Sequence, residues 1–78
     1  MQEREALLLM ESNELIRLIV CRDANHTGWV IKLDTKSSPH SQHTLATKRE
    51  KTQRIFKTSD AALRWCKKIG FNEVTVTL

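Results

Sequence analysis

The clearest alternation of apolar and polar positions lies at 29–34, WVIKLD, where Trp29, Ile31 and Leu33 fall on one side and Val30, Lys32 and Asp34 on the other. A period of two marks a half-buried strand. Upstream, ELIRLIVCR at 14–22 is rich in Leu, Ile and Val with little polar alternation, which predicts a strand covered on both faces. DANHTG at 23–28 has the composition of a turn, because Asp, Asn and Gly tolerate the dihedrals of a reversal. The two strands are therefore expected to form an antiparallel hairpin. The period of two returns at the end of the chain, where Val74, Val76 and Leu78 alternate with Glu73, Thr75 and Thr77 in a further strand.

Between these strands the period changes. Ala62, Trp65, Cys66 and Ile69 recur at helical spacing and give one apolar stripe. Thr58 or Ser59 offers a capping hydroxyl, Asp60 in the first turn and Lys67 and Lys68 in the last complement the helix dipole, and Gly70 stands where a left-handed terminator belongs. Residues 43–57 read as one bent strand or a second hairpin, with HTLAT and QRIFK extended and KREK as the turn or bulge. TKSSPHSQ at 35–42 is polar, holds the single proline and is expected to be a mobile loop. Residues 3–11 read as a short helix or an apolar arm, since four apolar residues run consecutively. The expected fold class is α+β: a small antiparallel β-sheet of three to four strands packed against one main α-helix, in the order (α)-β-β-β-α-β.

A length of 78 residues allows a single domain, 1–78, with a modest core. An apolar fraction of 40% with 28% charged residues is that of a folded chain, not a disordered one. Cys21 and Cys66 are the only cysteines, too few for a small secreted scaffold, and are expected to be reduced; a single disulfide between them is the alternative. The apolar run 6–10 is short and bracketed by Glu3, Glu5 and Glu11, which argues against a signal peptide or a membrane span and for a cytoplasmic protein.

Several chemistries find little support. Cys21, His26, His40 and His43 offer zinc-binding atoms, but C-x4-H and H-x2-H match no common zinc pattern, so no metal is expected. Asp23, His26, Ser37, Ser38, His40, Ser41 and His43 are catalytic residue types, yet they cluster where turns and loops place such residues anyway. Gly28 and Gly70 are the only glycines, so there is no glycine-rich phosphate loop, and no nucleophile-elbow or metalloprotease motif is present. The expectation is a non-enzyme working without a cofactor.

Charge is distributed unevenly. The net charge is +4, but residues 1–34 carry −2 while residues 48–68 set eight cations against Glu50 and Asp60. Such a block has the form of an electrostatic footprint for a polyanion. Outward Arg and Lys on a small sheet can reach phosphates and guanine edges in the major groove. The candidate contacts are Lys48, Arg49, Lys51, Arg54 and Lys57, with Arg17 and Lys32 extending the surface from neighbouring strands. Arg64, Lys67 and Lys68 are assigned to solubility and the helix dipole. Trp29, Phe56, Trp65 and Phe71 all fall on faces assigned to the core, which favours duplex DNA over single strands read by stacking on exposed rings.

GWVIKL, followed after a gap by RIFKTSDAALRW, resembles the AP2/integrase-type DNA-binding domain, with matches at Trp29, Val30, Arg54, Phe56, Thr58, Ala61 and Ala62. The pattern is also similar to small accessory proteins of plasmids and other mobile elements. The resemblance covers about residues 28–70 and implies a three-stranded antiparallel sheet, backed by one helix, that reads the major groove. Together these observations lead to the expectation of a small regulatory or accessory protein that binds duplex DNA; a homodimer is compatible with it, and the sequence does not fix the oligomeric state. The alternative is an adaptor or inhibitor that binds an acidic protein partner.

Overall fold

The computed structural model describes residues 1–25, 27–36, 38–46 and 54–78, with 38–42 described through their backbone. The elements run α1 (Glu3–Glu11), β1 (Leu15–Arg22), β2 (Trp29–Thr35), β3 (Ser38–Thr44), α2 (Ser59–Lys68) and β4 (Thr75–Thr77). The fold class is α+β, as the alternation and the helical stripe imply. The four strands form one sheet in the order β3-β2-β1-β4. It is mixed rather than wholly antiparallel: β1–β2 and β2–β3 are antiparallel, whereas β4 lies parallel to β1. A parallel neighbour requires a crossover, and α2 precedes β4 along the chain, as in a βαβ return.

The stretch 35–42, expected as a mobile loop, is instead largely strand. Thr35 pairs with Ser38, and β3 continues to Thr44. Its polar composition hid it because an edge strand is held by backbone hydrogen bonds and has no apolar face to keep, and Pro39 is tolerated at such an edge. Leu45, fully buried, anchors the end of this run through its N–H to the Ile31 carbonyl at 2.9 Å. Residues 54–56 then take over the edge of β2: Trp29 and Phe56 exchange two backbone hydrogen bonds of 2.8 Å each. Gly28 is needed for this approach, since a Cβ there would sit 2.5 Å from Ile55 Cγ2 and 2.6 Å from the Phe56 carbonyl oxygen.

Both helices cover one face of the sheet. Leu18 and Val20 of β1 pair with Leu33 and Ile31 of β2, and these side chains form the core with Leu45, Phe56, Ala62, Trp65 and Cys66. The ends of α2 are formed as its sequence implies. Thr58 accepts a hydrogen bond from Ala61 N–H at 3.1 Å. Gly70, at φ +106°, donates to Lys67 at 3.0 Å, and Phe71 donates to Cys66 at 3.1 Å, which closes a Schellman terminus. Residues 3–11 are helix; Ala6 is its buried residue, and Asn13 at φ 59° ends the turn that follows. Residues 1–2 attach at the end of β3 and just beyond it. Gln2 bridges Ala46 in parallel, Ala46 N–H bonds the Met1 carbonyl, and the Met1 ammonium bonds the Thr44 carbonyl at 3.0 Å.

Cys21 and Cys66 are both free. Cys21 pairs with Val30 on the sheet face turned away from the helices, whereas Cys66 is fully buried in α2. Burial pushes the Cys66 thiol up to about 11, which keeps it protonated and unreactive at neutral pH. Ellman's reagent is therefore expected to titrate one thiol, Cys21, in the native chain and the second only after denaturant is added. Two equivalents reacting rapidly without denaturant would show that α2 does not shield Cys66.

Candidate nucleic-acid interface

Strand register decides where each cation goes, because residues paired across a sheet share a face. Arg17 pairs with Asp34 and Ile19 with Lys32, so Arg17 and Lys32 lie on the face turned away from α1 and α2, with Thr44, Thr75 and Thr77. A bulge at Ile16 sets this alignment, shifting the register between Leu15 and Arg17. The Arg17 guanidinium donates twice to Asp34 Oδ2, from Nε at 2.9 Å and from Nη2 at 2.7 Å. Arg17 stays 57% exposed while the Asp34 side chain is only 10% exposed. The pair is half-buried, open on the Arg17 side and closed on the Asp34 side, and it offsets much of the charge Arg17 would offer a phosphate. Beside it lies a hollow of about 650 Å³ lined by Ile16, Arg17, Asp34, Phe71, Glu73, Val74 and Thr75. Two of its charged groups already satisfy one another.

Arg54 lies on the other side of the sheet. Phe56 shares the Trp29 face, and the Arg54 guanidinium sits 4.8 Å from the Phe56 ring centroid and 3.8 Å from Glu3 Oε1. Lys68 Nζ approaches the same oxygen at 3.9 Å, and Trp65 Nε1–H donates to it at 2.7 Å. Glu3 thus ties α1 to α2 and to the 54–56 segment. It supplies the acceptor that the buried indole N–H requires, and it partly neutralises two cations of the basic block. Lys57, Arg64 and Lys67 are exposed and make no ion pair with a described residue.

The structure therefore divides the sequence-derived contacts. Arg17 and Lys32 share one face, Arg54 belongs to the helix side, and Lys57 is exposed just ahead of the α2 cap. Lys48, Arg49 and Lys51, like the KREK turn, lie outside the described residues. What is described is where that segment is attached. Arg54 N–H donates to the Leu45 carbonyl at 2.8 Å, so both attachment points meet at one place, on the edge of the sheet next to Arg54.

The remaining polar groups are accounted for locally. Asp23, 3% exposed, accepts from Gly28 N–H at 2.9 Å and from Thr27 Oγ1 at 2.7 Å. The Thr27 hydroxyl foremost, then the Gly28 amide, holds its carboxyl below the usual carboxylate range. This is a loop-closing role that the residue types alone did not separate from a catalytic one. Among the described residues no group of three or more His, Cys, Asp or Glu side chains is placed to hold a metal ion; His26 and the His40 side chain lie outside them. No helix among the described residues is long and apolar enough to cross a membrane. No family model, curated protein or solved structure matches this chain.

Proposed function

We propose that this protein is a small non-enzymatic DNA-binding protein, regulatory or accessory in role, that holds duplex DNA chiefly through its basic block. The observation that carries the reading is the Arg54–Leu45 backbone bond. It joins the two ends of the segment that carries Lys48, Arg49 and Lys51 in the sequence, beside Arg54, and this supports reading those three with Arg54 and Lys57 as one basic region. Among the described acidic groups, only Glu3 makes an ion pair with the block. Arg17 and Lys32 lie on the opposite face and are secondary in this reading, Arg17 the more so because Asp34 occupies it. The AP2/integrase-type likeness rests largely on core positions: Trp29, Phe56 and Ala62 are buried, and Thr58 is a cap. It therefore supports a sheet-and-helix frame more than a particular base contact.

Phosphate neutralisation releases counterions, so affinity falls linearly in log salt with a slope of about −0.9 per contact on B-DNA. Titrating a random-sequence duplex across a salt series is expected to give four to five contacts' worth of slope, about −4. A chain that ignores duplex DNA at low salt would end this reading and favour an adaptor that binds an acidic protein through the same cations.

A further inference from the structure

The two edges of the sheet are treated differently. On the β3 side, residues 1–2 attach only at its end, through the Met1–Thr44 bond and the Gln2–Ala46 bridge, and 54–56 closes the edge of β2 at Trp29. The β4 edge has no neighbour among the described residues. Its three-residue length is its one protection: from 74 to 78 the sequence is VTVTL, without a charged side chain, a proline or a bulge. Its helix-side row is apolar and open, with Val74 half-buried, Val76 42% exposed and Leu78 97% exposed. A groove lined by Leu63, Lys67, Phe71, Asn72, Val74 and Val76 lies beside that row.

We infer that β4 pairs antiparallel with β4 of a second copy about a two-fold axis at Val76, making one continuous eight-stranded sheet. The occupant is a second copy because the segment matches itself. With Val76 opposite Val76, Val74 meets Leu78 of the other copy and Thr75 meets Thr77. Every apolar side chain then faces an apolar one, and every threonine faces a threonine, pairs that stabilise adjacent strands. Leu78, the most exposed apolar side chain, is brought to Val74 and its groove. No charged side chain of one strand is opposed by a like charge, and an acidic partner would find no cation on the strand itself, only Lys67 in the groove beside it. Such an isologous contact is the commonest route to a dimer. It is small, so the dimer forms at micromolar concentrations or above, in the range of transient interfaces.

Sedimentation of the full chain under reducing conditions over a concentration series is expected to show a monomer–dimer equilibrium. Val76→Lys sets two like charges on the axis and abolishes the dimer while leaving the far-UV circular dichroism unchanged. The register is tested separately in a Cys21→Ser background, which does not depend on Val76→Lys folding. Val76→Cys forms an intermolecular disulfide on mild oxidation. Thr75→Cys and Thr77→Cys each fail to do so alone but cross-link when mixed. A chain that stays monomeric throughout, a dimer indifferent to Val76→Lys, or cross-linking without regard to position would each overturn the inference.

Discussion

Truncation of Leu18 to alanine is expected to remove about 2–5 kcal/mol of folding free energy, the range for deleting a fully buried leucine where the surroundings only partly collapse. Leu18 is fully buried on the helix side of β1, directly opposite Leu33, and β1 lies between β2 and β4. Its neighbours are held by the ladder on both sides, so the cavity has little freedom to close. A chain of this length has only about 4–12 kcal/mol to lose. The variant should therefore unfold at a much lower denaturant midpoint with an unchanged m-value. The exposed neighbour Ile16, at the bulge, supplies the contrast: Ile16→Ala should change stability by no more than about 0.5 kcal/mol. Equal losses at the two positions would mean that the faces of β1 are assigned wrongly.

Replacing Lys48, Arg49 and Lys51 together by alanine is expected to have the largest effect on binding. Each lost phosphate contact makes the log–log salt dependence shallower by about 0.9, so the triple variant should lose about 2.7 of slope and most of its affinity at moderate salt. The thermal midpoint should stay where it is. Arg17→Ala, by contrast, should alter the slope little, because Asp34 already holds that guanidinium at 2.7 and 2.9 Å. A triple variant that binds DNA as the parent does would remove the basic segment from the interface. One that no longer folds would assign these side chains to the framework instead.

How legible each part was depended on how local its determinants are. The strand at 29–34 announced itself because its period is written in consecutive side chains. The ends of α2 did so because a hydroxyl at Thr58 and a glycine at 70 act within one turn of the helix. β3 did not, since what holds it is backbone pairing with β2, which polar side chains neither require nor report. The parallel direction of β4 was equally hidden: VTVTL alternates in the same way whichever way it runs. Of the candidate site, the residue types were readable and their company was not. The Asp34 carboxylate that engages Arg17 is brought opposite it by a bulge, and Glu3 reaches Trp65 across 62 positions of sequence.

By itself the sequence determined the apolar rows of β2 and α2, where α2 starts and stops, and that the cations crowd the second half of the chain, but not that Ile16 of β1 would be exposed while Val30 and Asp34 are buried. These follow from composition and short-range periodicity, which survive any arrangement of the elements. Only the tertiary structure decided which described cations share a face, which of them already have a carboxylate, and that β4 runs parallel to β1 at an edge of the sheet. Those are properties of register and strand direction, where a one-residue shift sends a side chain to the opposite side of the sheet.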